Sequence, residues 1–299
     1  MHVIVHGGAG GEPEEPDARQ AVLEESAEAG VDAETPLSAV EAAVRVLESS
    51  PRFNAGVGGA VQSDGVVRTD AGIMTDDRRV GAVCSMPGVE HAVSVARVVL
   101  EETPHTFVAG EHAVSLAEDY GVETEVDLWT ERTRERWAEL EAPEGGSRAQ
   151  LEWIQARFGQ RDQFGEETPG IDDEHDHDTV GAVAFDGERL AAATSTGGRW
   201  LALAGRVGDV PQIGSGYYCS PAGGASATGA GEDIARVTLS RRVVRHLERG
   251  LDAQGATELA IEEFGELTGS SAGVIAIDAS GSLGSAYNSD AMQTARARR

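Results

Sequence analysis

The chain has 299 residues, 40% of them apolar and only 5% aromatic, so its core must be built mainly from Ala, Val, Leu and Ile. That length fits one large domain or two small ones. Its 51 acids face 24 bases for a net charge of −27, which leaves no basic stripe to neutralise phosphates and excludes nucleic acid as a partner.

All 24 bases are arginine. An acidic surface without lysine fits a halophilic protein, kept soluble in salt that screens repulsion beyond about 3 Å at 1 M. Cys84 and Cys219 are too few for a disulfide scaffold and read as small core residues. No stretch approaches the roughly 18 apolar residues of a membrane span. The start, "MHVIVHGGAG", lacks a basic leader and a long apolar run, so a soluble, cytoplasmic protein without membrane contact is expected.

In chain order, "HVIVHGG" reads as a short buried strand ending in a glycine turn. "TPLSAVEAAVRVLESSP" is a helix: Thr35 is placed to cap it, Pro36 takes the first helical position, and Val40, Ala43, Val44 and Leu47 repeat on one face. "FNAGVGGAVQSDG" is a glycine loop, and "RTDAGIMTDDRRVGAVCSM" a hairpin turning at Asp76 and Asp77. Two further helices are expected in "GVEHAVSVARVVLEETP" and "EHAVSLAEDYG". From 142 to 178 acids, Gly and Pro accumulate without apolar periodicity, which predicts a surface connection with one helical patch, "RAQLEWIQARF". Positions 157–178 are its flexible acidic linker. After Thr179 come two apolar runs joined through Asp186 and Gly187, a hairpin signal. Helices over 231–249 and 253–267 precede a strand pair turning near Gly281. Strands interleaved with helices in both halves point to an α/β (α+β) architecture, with sheets between helix layers and the linker as an insertion.

Four stretches carry candidate chemistry. His175, Asp176, His177 and Asp178 could ligate a metal, but an i, i+2 histidine pair on a charged loop without partners reads better as solvated surface. "GSSAG" at 269–273 matches the serine elbow, yet helix precedes strand there and Ser271 reads as a turn residue. "TGAGED" at 228–233 opens a helix and could hold an anion on backbone amides, the site of a binding module rather than an enzyme. Thr179, at the seam between the acidic segment and a strand, could be the product of chain scission. A free α-amine there would have a pKa of about 7.7–8.0 and could take the proton of its own hydroxyl.

The last reading draws support from the order of what surrounds it. "HGGAG", "FNAGVG", "TDAGIM", "TPH", "TVGAVA", "TSTGG", "GRVGD", "ATGAGED" and "GVIAID" occur in sequence. The series resembles the plant-type L-asparaginase/isoaspartyl peptidase family of N-terminal nucleophile hydrolases, over nearly the whole chain. The resemblance implies a four-layer αββα sandwich in a single domain, 1–299, cut between Asp178 and Thr179 into 1–178 and 179–299. It makes Thr179 the nucleophile and Thr196 its hydrogen-bond partner. Arg206 and Asp209 become the grip on the α-carboxylate and α-ammonium of a small-molecule substrate, L-asparagine or a β-aspartyl peptide. Thr228 and Gly229 match the oxyanion positions, with Gly231 and Asn54 as further contacts. The resemblance also implies no organic cofactor, a sodium ion on backbone carbonyls of Leu47, Glu48, Ser50, Phe53, Ala55 and Val57, and a homodimer of αβ pairs. One departure matters: "HDT" in place of a glycine before the nucleophile resembles the sister glycosylasparaginases, whose usual Asn is Gly197 here.

Overall fold

The structure, a computed structural model, describes residues 1–143, 145–158 and 179–299. The first fragment runs β1 (His2–Gly10), α1 (Pro16–Val31), α2 (Pro36–Glu48), β2 (Arg68–Thr75), β3 (Val80–Pro87) and α3 (Ala92–Glu102). It continues through β4 (Phe107–Ala109), α4 (Gly110–Asp119), α5 (Glu131–Ala138) and α6 (Ser147–Phe158). Beyond Thr179 come β5 (Val180–Phe185), β6 (Leu190–Thr196), β7 (Tyr217–Ser220), β8 (Gly223–Gly229), α7 (Gly231–Val237), α8 (Leu239–Glu248) and α9 (Ala253–Thr268). The chain closes with β9 (Ala272–Asp278), β10 (Leu283–Tyr287) and β11 (Ala291–Arg298). Most of the acidic stretch expected as a linker, with His175, His177 and Asp178, lies outside the described residues.

One sheet runs β11-β1-β5-β6-β2-β3-β4 and the other β10-β9-β8-β7. Strand alternation then dictates the layers, because successive side chains point to opposite faces. In β5, Val180, Ala182 and Ala184 join a cluster with Leu23, Val40, Val44, Leu47 and Val93 from the helices on the outer face. Their neighbours Val183 and Phe185 join Ile4, Met74, Tyr217, Ile275 and Ile277 between the two sheets. On β8 and β9, Ala225, Ala227, Val274 and Ala276 pack outward on Leu239, Val243 and Phe264 of α8 and α9. The result is the expected four-layer αββα sandwich.

Two glycines let the sheets close tightly. A Cβ at Gly72 would sit 1.9 Å from the Tyr217 ring, and one at Gly181 would sit 2.0 Å from Ser226 Oγ. In α2 the apolar stripe decides the packing: Leu37, Val40, Val44 and Leu47 are buried, each worth about 1.5–3 kcal/mol. Thr35 caps it as expected, accepting from the Ser38 amide.

The sequence reading placed no element at α1, β4, α5, β7, β8 or β11 and one helix where α7 and α8 stand, and three of these differences have a clear physical reason. Helix α1 went unforeseen because its buried face is short and small: Leu23, Ser26, Ala27 and Gly30. The helix expected over 231–249 is two helices, broken at Thr238 with φ 53°. The break frees the first amides of α8, and Ser240 and Arg241 donate them to the carbonyls of Ser215 and Gly214. Strand β11 was also missed; it pairs along β1 and carries Arg296 and Arg298, exposed charges of the kind that protect an edge strand.

Candidate active site

The opposed strands bring three threonines together. A Cβ at Gly224 would approach Val183, and one at Gly181 approaches Ser226. Each step of two along β8 therefore matches a step of two back along β5, and the next step sets Thr228 opposite Thr179. Thr196, at the end of β6, completes the group: Thr179 Oγ1 donates to Thr196 Oγ1 at 3.2 Å. All three are buried.

Thr196 is held from behind. Its hydroxyl accepts from the Gly198 amide at 3.1 Å and donates to the Asn54 carbonyl at 3.4 Å. Asn54 stitches two loops: its side chain accepts from the Ala60 amide and donates to the Gly198 carbonyl, while its own carbonyl takes the Gly197 amide. Asn54 thus fixes the position of Thr196. His6 braces the same end of the sandwich, with Nε2 2.9 Å from Ser226 Oγ. Burial depresses its pKa to about 3 against the pull of the Thr179 backbone, so the ring is neutral.

The other side of the site is charged. Arg206 and Glu232 form a two-point pair, Nε to Oε1 at 2.9 Å and Nη2 to Oε2 at 2.7 Å. Burial would raise the Glu232 pKa, but this pairing holds it at about 2. Asp209 is buried and its Oδ2 has no hydrogen-bond partner among the described residues. Burial pushes its pKa up to about 7, against the attraction of Arg206 and with the repulsion of Glu232 and Asp70. Gly231 lies between the pair: a Cβ there would be 2.8 Å from Asp209 Oδ1 and 2.9 Å from Arg206 Nη2.

Two residues here escaped the sequence reading, Glu232 and Asp70. Asp70 pairs with Thr196 across β2 and β6, and its side chain falls on the inter-sheet face with Met74. It accepts from the Ser85 amide at 2.7 Å, where Ser85 has the left-handed φ of 57°. Burial lifts its pKa to about 7, opposed by the Ser85 amide and Arg206. Three carboxylates therefore surround one guanidinium. The only sequence signal was the "TDAG" motif itself, since the pairing joins positions 126 residues apart.

Two competing candidates separate clearly, while the His175–Asp178 stretch lies outside the described residues. Ser271 is exposed, follows the left-handed Gly269 that ends α9, and precedes β9, the reverse of a serine elbow. Helix α7 does open at Gly231, but Glu232 and Asp233 occupy its first turn and pair with Arg206 and Arg236. No cluster of three or more metal-ligating side chains occurs among the described residues. The loop expected to hold sodium is a tight backbone turn whose carbonyls of Leu47, Glu48 and Ser50 accept the amides of Ser50, Val57 and Phe53. A Cβ at Gly56 would lie 2.2 Å from the Glu48 carbonyl oxygen and one at Gly58 2.9 Å from that of Phe53. Only glycine fits at these two positions, both with positive φ. No helix among the described residues is long and apolar enough to cross a membrane.

Known proteins resemble this chain in sequence. A family model described as "Asparaginase" matches residues 1–299. The plant-type L-asparaginase of Pyrococcus abyssi is 40% identical, the match covering 98% of this chain and 95% of that protein. That of Pyrococcus furiosus is also 40% identical over the same shares. The isoaspartyl peptidase/L-asparaginase of Danio rerio is 34% identical over 99% of this chain and 91% of its own. With buried threonines at three strand ends and a full-length match, the chain belongs to the asparaginase family, and its sandwich is the N-terminal nucleophile hydrolase fold.

Proposed function

We propose that the chain is a self-processing threonine amidohydrolase acting on L-asparagine and β-aspartyl peptides. The observation that carries this is the placement of the Thr179 hydroxyl: at the start of a central strand, bonded to Thr196 and opposite Thr228. In maturation, Thr179 Oγ attacks the carbonyl carbon of Asp178, the chain shifts from nitrogen to oxygen, and water hydrolyses the ester. The products are an α fragment, 1–178, and a β fragment, 179–299, whose new N-terminus is the Thr179 amine.

In turnover that amine accepts the hydroxyl proton as Oγ attacks the substrate's side-chain amide carbon. Thr228 and the Gly229 amide stabilise the developing oxyanion, an effect of about 2.7–4 kcal/mol per donor. The proton passes to the leaving nitrogen, ammonia or an amino acid departs, and water releases aspartate from the ester. Arg206 takes the α-carboxylate and Asp209 the α-ammonium. A sodium ion on the carbonyls of Leu47, Glu48, Ser50, Phe53, Ala55 and Val57 would stiffen the Asn54 loop, and no step passes through it. Assembly as a dimer of αβ pairs belongs to the same reading.

Denaturing electrophoresis with N-terminal sequencing tests this. Purified protein should give two fragments, one beginning at Thr179, whereas Thr179→Ala should stay whole and lose hydrolysis. An intact chain that hydrolyses asparagine, or an active Thr179→Ala, would sink the proposal. Comparing asparagine, β-Asp-Leu and a glycosyl-asparagine separates it from the glycosylasparaginase reading.

A further inference from the structure

A guanidinium offers a carboxylate two edges, side-on through Nε and Nη2 or end-on through Nη1 and Nη2. In Arg206 the side-on edge is filled by both oxygens of Glu232. Nη1 makes no hydrogen bond among the described residues, and the residues beside the end-on edge, Gly208 and Gly231, put no side chain against it. A Cβ at Gly208 would lie 2.8 Å from Nη1, and one at Gly231 would block both Nη2 and Asp209 Oδ1. The same glycine thus stands against both Nη2 and the buried Asp209 carboxylate, whose Oδ2 has no partner among the described residues.

We propose that Glu232 is a positioning residue for the substrate: it locks Arg206 so that the Nη1–Nη2 edge meets the α-carboxylate while Asp209 meets the α-ammonium. This rests on the amidohydrolase reading of the site and adds how its selectivity for a free amino-acid end is built. Glu232 lies on the solvent side, with its side chain 53% exposed against 18% for Arg206. The substrate therefore meets Arg206 from the inner side, and Glu232 stays in place when it binds. Glu232 lies four positions after Thr228, so the same contact fixes the grip relative to the strand proposed to bear the oxyanion site. The opposite role, a carboxylate that occupies the fork until substrate displaces it, requires the substrate to take the side-on edge, whereas Gly208 and Gly231 stand beside the end-on edge.

The test compares L-asparagine with 3-aminopropanamide, the same molecule without its α-carboxylate, in wild type, Glu232→Gln and Glu232→Ala. Where turnover of the analogue is too slow to follow, its inhibition constant against asparagine replaces it. The variants should still mature into two fragments and keep kcat within about threefold. KM for asparagine should rise about 10- to 100-fold in Glu232→Ala, and less in Glu232→Gln, which keeps an acceptor. The constants for 3-aminopropanamide should move less than about twofold, since that ligand never touches Arg206. A lower KM for asparagine in Glu232→Ala would show that Glu232 competes with substrate and overturn the proposal. Equal losses on both ligands would overturn it too, by making the effect merely structural. Wild-type protein inert toward asparagine would instead fail the underlying assignment.

Discussion

The two sides of the site are built on opposite principles. The hydroxyl side, Thr179, Thr196 and Thr228, stands on strand ends, where register alone fixes three neutral groups and backbone hydrogen bonds hold them. The charged side, Arg206, Asp209 and Glu232, stands on a loop and a short helix, where register fixes nothing. There, charges hold one another and Gly231 puts no side chain between them. Register is suited to chemistry, which tolerates little displacement. Charge is suited to recognition, which must accept a free ammonium and carboxylate and refuse a polypeptide interior. Substitutions on the hydroxyl side should therefore act on kcat, and those on the charged side on KM.

The sharpest test of that division is Thr228→Val, which preserves shape and removes one donor. We expect kcat to fall about 10²–10³-fold with KM within about threefold, as for loss of one oxyanion donor. Steady-state kinetics on asparagine check this, and a variant impaired mainly in KM would break the division. Next in size is Gly231→Ala. Its methyl would lie 2.8 Å from Asp209 Oδ1 and 2.9 Å from Arg206 Nη2, between the two groups proposed to grip the substrate's amino-acid end. KM should rise about 10- to 100-fold while maturation, which does not use that grip, proceeds at the wild-type rate. A maturation defect equal to the kinetic one would mean that the two sides are not separable.

How much of this was legible depends on where the signal lies. The Asp186–Gly187 hairpin and helix α2 depend on local pattern, a turn pair and a 3.6-residue apolar stripe with Thr35 as cap, whereas the threonines were singled out by the family resemblance of the motifs around them. Arg206 and Asp209 were singled out through the same resemblance, at the motif "GRVGD". Asp70 and Glu232 were not, because their roles arise only when β2 pairs with β6 and α7 folds back on the loop. Helix α1 hid for a different reason: Ser26, Ala27 and Gly30 are small enough for close packing on α2, where a Cβ at Gly30 would meet the Ala39 carbonyl at 3.1 Å. Close approach replaces apolar periodicity there. The break at Thr238 depends on carbonyls of residues 214 and 215, which no local window contains.

The charged side should also respond to pH. Asp209 has its pKa raised to about 7, so it is protonated below that and ionised above. Only the ionised form pairs with an α-ammonium, so KM for asparagine should fall as pH rises through 7, about tenfold between pH 6 and pH 8. Asp70 adds negative charge nearby, and Asp70→Asn should move the KM midpoint to lower pH while keeping the acceptor for the Ser85 amide. The same residue gives a stability check. A carboxylate whose folded pKa lies above its unfolded value binds more protons in the native state, so its contribution weakens as pH rises from about 4 to 7. Asp70→Asn should therefore melt above wild type at pH 8, with the gain shrinking toward pH 5, about 2–4 °C for each kcal/mol recovered. A gain that is constant with pH would remove Asp70 as the cause.

The smallest effect concerns salt, and it distinguishes buried charge from surface charge. The net charge of −27 is spread over a surface whose ion pairs include exposed ones such as Arg148–Glu152, so molar salt should screen the repulsion and raise the melting temperature. In the site, Asp209 and Asp70 are 5% and 3% exposed and Arg206 is paired, out of reach of most counterions. KM for asparagine should then change less than about twofold between 0.1 and 2 M sodium chloride, with potassium chloride run in parallel to separate screening from any sodium-specific effect. A flat melting temperature would remove the case for salt adaptation and leave the site untouched. A KM that climbs steeply in both salts would show that the grip is solvated, and the contrast between a strand-built and a charge-built side would lose its physical basis.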